Sequence, residues 1–196
     1  MFTPEIENLL GQLSQNGATA FMVGGAVRDA IRGNNNPKDL DIEIYGISLE
    51  NLIQVASTIG LVKQVGKSFG VITLAHPTLG PVDLTLPRKD NKTGEGYRGF
   101  EIEVDPNLSF EEGASRRDFT FNSLMYSPIT GLLDHFGGVQ DLEDSILRAV
   151  SDKFSEDPLR VLRAMQFAAR MDLDMECETT SMAQSLFEEY HALSKD

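Results

Sequence analysis

The sequence predicts an α/β (α+β) fold, a mixed sheet backed by helices. Three observations carry that expectation. Residues 20–45 read as strand, glycine pair, short helix, polar turn and second strand. Through residue 86, apolar stripes of helical spacing alternate with short stretches of two-residue periodicity. The length, 196 residues, suffices for one good core or for a core with a small helical appendage.

Taken in order, Thr3 is placed to cap a helix with Pro4 at its first position. Ile6, Leu9, Leu10 and Leu13 form its apolar stripe, and Gly17 ends it. An apolar strand over residues 20–23 then runs into Gly24-Gly25. The helix that follows carries Arg28 and Asp29 and stops at Gly33, and the turn over residues 34–38 leads to a strand over residues 39–45. Ser48 caps a helix with the stripe Leu49, Leu52, Ile53, Ala56 and Ile59, closed by Gly60. Residues 61–65, 70–75 and 82–86 read as three short strands. Residues 87–107 are rich in Gly, Pro, Asn, Lys and Glu and read as a long mobile loop. Arg116, Arg117 and Asp118 are expected at the head of an amphipathic helix. Residues 134–138 form a turn before a short helix at Asp141-Leu142, residues 146–150 a last strand or extended link, and residues 179–193 a polar helix.

Composition excludes several classes. No run of about 18 apolar residues is present, so a membrane-spanning helix is not expected. The first ten residues lack the basic start and apolar centre of a signal peptide. A single cysteine, Cys177, rules out an intrachain disulfide and fits a reducing compartment, and no His/Cys cluster points to zinc. The cytoplasm is the expected location. The net charge of −13 sits badly with RNA handling, which draws on basic residues that displace phosphate counterions. Arginines nevertheless gather at 116–117, 148, 160, 163 and 170, while acid dominates residues 101–112 and 172–189.

The chemistry concentrates in residues 23–46. A glycine pair between strand and helix turns the backbone tightly and brings amide N–H groups near a bound anion. Arg28, one turn into the helix, has the bidentate fork that suits phosphate oxygens. Alternation on the second strand puts Asp39, Asp41 and Glu43 on one face and Leu40, Ile42 and Ile44 on the other. Asp39 and Asp41 are then ~6–7 Å apart along the strand, close enough for both to hold divalent cations. A phosphate cradle beside a two-carboxylate site is equipment for nucleotidyl transfer. The plainer alternatives are an ordinary Gly-Gly turn and a solvated strand face.

Gly-Gly-x-x-Arg-Asp followed by Asp-x-Asp on strand, helix and strand resembles the tRNA nucleotidyltransferase and poly(A) polymerase family, which includes the bacterial and eukaryotic class of CCA-adding enzymes. The catalytic head of that family belongs to the DNA polymerase beta-like nucleotidyltransferase superfamily. The resemblance runs from Phe21 to about Arg170 and includes the loop over residues 87–107, the Arg116-Arg117-Asp118-Phe119-Thr120 and Asn122 signature, and Glu156-Asp157-Pro158-Leu159-Arg160 with Arg163. It implies a head over residues 1–138 and an all-helical neck over residues 139–196, with the tRNA-gripping domains absent from this chain.

The resemblance also implies roles. Asp39 and Asp41 hold Mg²⁺, two ions being expected, with Asp83 or Glu43 as a third carboxylate on a neighbouring position. Asp83 otherwise reads as a plain exposed strand residue. Gly24, Gly25 and Arg28 face phosphates, Arg117, Asp118 and Asn122 belong to the signature that approaches sugar and phosphates, and Asp157 and Arg160 face the base edge of CTP or ATP, with Arg163 nearby on base or phosphate. Without the resemblance, Asp157, Arg160 and Arg163 read as a surface ion-pair ladder of small energetic consequence. Gln166 departs from the further arginine many relatives carry, which bears on the nucleotides added. The implied activity is addition of CMP and AMP to the 3′ end of tRNA. The rivals are poly(A) addition, partial addition of A or CC, a small-molecule nucleotidyltransferase, and a nucleotide-binding module without catalysis.

Overall fold

The computed structural model describes residues 1–15, 17–66, 70–92 and 100–186. Helix α1 (Pro4–Leu13) starts with proline in its first turn and buries Ile6, Leu9, Leu10 and Leu13. It leads to β1 (Thr19–Val23), α2 (Gly25–Ile31) and β2 (Asp41–Tyr45). Helix α3 (Leu49–Ile59) is capped by Ser48, whose hydroxyl accepts from the Asn51 amide. Strands β3 (Leu61–Gly66), β4 (Val71–His76) and β5 (Gly80–Thr85) follow as an antiparallel meander. These strands, with β8 (Met125–Ser127) and β9 (Gly131–Leu133), make a seven-stranded sheet of order β3-β4-β5-β2-β1-β8-β9. Within it β2 and β5 run parallel, while each other neighbouring pair is antiparallel.

One face of the sheet carries the main core. Met22, Ile42, Ile44, Ile72, Leu74, Val82 and Leu84 pack there against the buried stripes of α1 and α3. Phe21, Val23, Tyr45 and Met125 point the other way, into a smaller apolar cluster with Leu108 and Ala114. The alternation expected for residues 39–45 therefore sorts core from site, since Leu40, Ile42 and Ile44 are core residues and Glu43 is not.

Four details differ from the sequence expectations. The second strand begins at Asp41, and Asp39 lies in a bend before it. Continuing the β1–β2 register would set residue 39 against residue 25, which already starts α2. Residues 87–107 are not one loop, because β6 (Arg88–Lys92) and β7 (Phe100–Val104) pair antiparallel. The alternation Phe100, Ile102, Val104 is the strand signal that the polar composition obscured. The expected mobility of that stretch concerns residues 93–99, which lie outside the described residues. Arg116 and Arg117 follow a helix instead of heading one, since α4 (Phe110–Ser115) starts at a Ser109–Glu112 capping box and ends at Arg116. Strands β8 and β9 were not expected from the sequence.

Beyond residue 137 come α5 (Gly138–Glu143), β10 (Ile146–Leu147), a 3₁₀ turn (Asp152–Glu156), α6 (Leu159–Met171), β11 (Asp174–Met175) and α7 (Cys177–Ser185). This part is not wholly helical, because β10 and β11 form a short parallel pair. The helix expected over residues 179–193 begins earlier, at Cys177, and residues 187–196 lie outside the described residues. A separate core forms here from Leu147, Phe154, Ala164, Leu173 and Leu186, together with Phe119 and Phe121 from the preceding segment. The rings of Phe119 and Phe121 stack at 5.5 Å and join Phe167 of α6 edge-on. The Phe-Thr-Phe segment is thus the pin that fixes α6 beside the sheet. Among the described residues no helix is long and apolar enough to cross a membrane.

Candidate active site

The parallel pairing of β2 with β5 puts Asp41 directly beside Asp83, on the face away from the main core. The Asp83 amide donates to the Leu40 carbonyl, and the Asp83 carboxylate accepts from the Thr73 hydroxyl at 2.8 Å. Asp39 lies just before the strand and is exposed. Asp41 keeps an exposed edge, yet desolvation of its carboxyl and the charges of Asp83 and Asp39 raise its pKa, against an opposing pull from Arg117. Like charge is therefore crowded here, and among the described residues no direct ion pair offsets it.

A cleft of about 360 Å³ opens at this edge, lined among others by Gly25, Arg28, Lys38, Asp39, Asp41 and Arg170. Asp83 abuts Asp41 outside that lining. A larger groove of about 490 Å³ between α1 and α3 has amide and apolar walls and no lysine, arginine or carboxylate, so the smaller cleft is the chemical one. Among the described residues no three His, Cys, Asp or Glu side chains form a ready-made metal cage. The fit of a divalent cation rests on the donor type and on the crowding at Asp41, which a bound cation relieves.

Glu43, two residues along the same strand, has the opposite surroundings. It is fully buried, and its oxygens accept from Arg116 at 2.9 Å and from Arg117 at 3.3 Å. Burial alone would raise its pKa, but the two guanidinium groups outweigh burial and lower it. A carboxylate committed to two arginines is not available as a third metal ligand, so of the two claimants the geometry leaves Asp83. Glu43 instead anchors the arginine pair. Next along the strand, burial and the Glu43 charge push the Tyr45 hydroxyl pKa strongly upward.

The remaining arginines are also held. Gly24, at φ +67°, turns β1 into α2 in a backbone conformation that favours glycine, and a Cβ there would crowd Arg117 Nη1 at 3.0 Å. Its amide donates to the Leu124 carbonyl. Arg28 is buried, donating from Nε to Asp29 at 2.8 Å and from Nη1 to the Asn122 side-chain carbonyl at 2.9 Å. The Asn122 amide donates to Asp118 at 3.0 Å, and Arg163 Nε donates to the other Asp118 oxygen at 2.6 Å. Arg28, Asn122, Asp118 and Arg163 thus form one continuous chain across the gap between α2 and α6. Phe167 completes it, with the guanidinium groups of Arg28, Arg163 and Arg170 at 5.3, 5.6 and 4.9 Å from its ring centre.

Asp157 accepts from the Leu159 amide and so starts α6. Arg160 donates to the carbonyls of Lys153 and Arg116, which ties α6 to the end of α4. The structure therefore gathers Gly24, Gly25, Arg28, Arg117, Asp118, Asn122 and Arg163 around one region. It sets Asp39, Asp41 and Asp83 on the acidic side, with Asp157 and Arg160 at the opposite end of α6 from Arg170. Sequence reasoning passed over Phe167 as a contact. Its signal was present, since Phe167 stands four residues after Arg163 and three before Arg170, one face of a helix.

A glycine turn at the start of a short helix, paired carboxylates on adjacent strands and a lattice of arginines define a nucleotidyltransferase head. The chain belongs to the Poly A polymerase head domain family, whose sequence model matches residues 20–148. It is 40% identical over 166 residues to a multifunctional CCA protein of Nitrosococcus oceani, covering 85% of this chain and 39% of that protein. It is 42% identical over 153 residues to one of Xylella fastidiosa, covering 78% and 35%. Among solved structures, the Bacillus stearothermophilus CCA-adding enzyme in complex with CTP superposes with a TM-score of 0.80 at 27% identity, covering 99% of this chain and 46% of that one. The Thermotoga maritima CCA-adding enzyme complexed with tRNA gives 0.74 at 28% identity, covering 96% and 43%. The chain thus spans 35–46% of the length of these relatives.

Proposed function

We propose that this chain is the head and neck of a template-independent RNA nucleotidyltransferase that adds CMP and AMP from CTP and ATP to the 3′ end of tRNA. The observation that carries this reading is the pairing of Asp41 with Asp83 on adjacent strands, with Asp41 lining the same cleft as Gly25 and Arg28. The similarity to CCA proteins and to CCA-adding enzymes with CTP and with tRNA supports the substrate class. Residues 1–138 are taken as the head and 139–196 as the neck, with Phe119 and Phe121 reaching across to the second core.

Asp39 and Asp41, with Asp83 beside them, would hold Mg²⁺. When bound, such ions activate an attacking 3′-hydroxyl and neutralise departing pyrophosphate. The chain's own groups do the rest. Gly24 and Gly25 let the backbone approach the phosphates, and Arg28 and Arg117 add positive charge held in place by Asp29, Asn122 and Glu43. Asp118 keeps Asn122 and Arg163 in position, and because its Oδ1 already accepts from the Phe119 amide and Asn122, a ribose 2′-hydroxyl would donate to Oδ2 in competition with Arg163. Arg160 has two of its five N–H donors on backbone carbonyls, which leaves the others, with Asp157, for a base edge.

The test incubates the protein with tRNA lacking its 3′ end and with CTP and ATP, singly and together, and sequences the products. Addition of CCA is expected. A run of A from ATP alone, or addition that stops after CC, would reassign the product within the family, and no transfer by a sample that binds both CTP and the tRNA would favour a binding module.

A further inference from the structure

We infer that Arg170 is a further phosphate-binding residue of this site, presented to the terminal phosphates of the incoming nucleotide by the ring of Phe167. The inference rests on the nucleotidyltransferase reading above and adds a residue to it. Arg28 has its Nε and Nη1 on Asp29 and Asn122, Arg117 is paired with Glu43, Arg160 with two carbonyls, and Arg163 with Asp118. Arg170 lines the same cleft as Asp39 and Asp41, yet among the described residues no carboxylate or carbonyl accepts a hydrogen bond from it. Among the described residues nothing takes its five donors, which face an anion entering the cleft.

Two further features separate this from an ordinary exposed arginine. A cation in the last turn of a helix complements the helix dipole, and Arg170 stands in the last turn of α6. That role alone does not require a fixed side chain. Here the guanidinium lies 4.9 Å from the Phe167 ring centre, on a ring that also contacts Arg28 and Arg163. The aromatic surface restricts the side chain and orients its planar fork, lowering the entropy lost when phosphate oxygens bind.

The second feature is reach. Arg160 and Arg170 are ten residues apart on α6, which separates them by ~15 Å along the axis. That is comparable to an extended nucleoside triphosphate from base edge to last phosphate. A base read near Asp157 and Arg160 would thus leave the phosphate tail running toward the cleft that Arg170 and Lys38 flank.

The experiment is isothermal titration of the 196-residue chain with CTP, ATP, CMP and inorganic tripolyphosphate at fixed Mg²⁺ and ionic strength, using wild type, Arg170→Gln and Arg170→Lys. Arg170→Gln is expected to weaken CTP, ATP and tripolyphosphate about tenfold, the size of one charge-assisted contact. It should leave CMP within about twofold, because CMP lacks the phosphates concerned. Arg170→Lys keeps the charge without the fork and should recover part of the loss. Unchanged CTP affinity in Arg170→Gln overturns the inference while leaving the nucleotide site intact. An equal loss for CMP, or no recovery in Arg170→Lys, overturns the phosphate assignment. Failure of wild type to bind any of the four ligands overturns the nucleotide reading, and this inference with it.

Discussion

Asp41 and Glu43 stand two residues apart on the same strand and the same face, and their electrostatics are opposite. Asp41 faces Asp83 and Asp39, keeps an exposed edge, and has a raised pKa. Glu43 is fully buried between two guanidinium groups and has a lowered one. The contrast extends to the regions they represent. The acidic edge gathers carboxylates that form no direct ion pair among the described residues, although Arg117, Arg28, Lys38 and Arg170 stand near it. The arginine lattice is largely paired, with the Glu43, Asp118, Asn122 and Asp29 side chains accepting from Arg116, Arg117, Arg163 and Arg28, while among the described residues the buried Arg117 Nε has no acceptor. One side is prepared to receive a cation, the other is already built to present its guanidinium groups in fixed places. Preorganised donors cost no reorganisation when charge develops near them, whereas crowded carboxylates favour whatever neutralises them.

The largest expected effect on stability breaks the satisfied side. Glu43→Gln leaves Arg116 and Arg117 facing a neutral amide in a dry setting, and removal of one partner from such a buried cluster costs ~3–5 kcal/mol. Urea unfolding of the variant should show the loss directly. A loss under ~1 kcal/mol would mean that water reaches the cluster and that Glu43 is not its anchor.

A smaller effect is expected from Asn122→Leu, which interrupts the chain from Arg28 to Asp118 at its middle. Arg28 Nη1 and one Asp118 oxygen each lose a partner, for ~1–3 kcal/mol. The same variant should weaken CTP and ATP binding alike, since it loosens Arg28 without touching a base edge. Selective loss of one nucleotide would instead place Asn122 on the base.

The smallest effect is on pH dependence. The folded pKa of Glu43 is depressed, so its contribution is fully present above the ordinary glutamate value and is lost as pH falls through the folded one. Asp41 has a raised folded pKa, so its ionised form is penalised at neutral pH and that penalty disappears on acidification. The two contributions have opposite sign and fall in different windows: on acidification the Asp41 penalty is relieved above the ordinary aspartate value, and the Glu43 contribution is lost only below the ordinary glutamate value. The unfolding difference between wild type and Glu43→Gln should stay flat near neutrality and shrink in acid. A difference that grows in acid would reverse the assignment of Glu43.

Much of this contrast was legible in the sequence. Strict alternation over residues 40–45 predicted which side chains reach the core, and the Gly24-Gly25 pair and Asp-x-Asp spacing predicted the turn and the acidic edge. Asp83 was placed on the correct face of its strand because Val82 and Leu84 bracket it. The fate of Glu43 was not legible, since its partners lie more than seventy residues away and only tertiary packing brings Arg116 and Arg117 to β2. Asp39 was misplaced on the strand because alternation does not reveal where the partner strand ends. The Ser109–Glu112 capping box was readable, but the arginine pair drew the helix start forward to itself. Strands β8 and β9 are three residues each, too short for periodicity to distinguish from turns.

The central claim is that the acidic edge, without a direct ion pair among the described residues, receives a divalent cation, while the neighbouring glutamate on the same strand is structural. The most direct measurement is thermal unfolding of wild type and Asp41→Asn at neutral pH, each with and without Mg²⁺. Without Mg²⁺, Asp41→Asn should melt at or above wild type, because it removes a repelled charge. Added Mg²⁺ should raise the melting temperature of wild type and not that of Asp41→Asn. A variant that melts well below wild type without Mg²⁺, or that gains as much from Mg²⁺ as wild type does, would contradict the account.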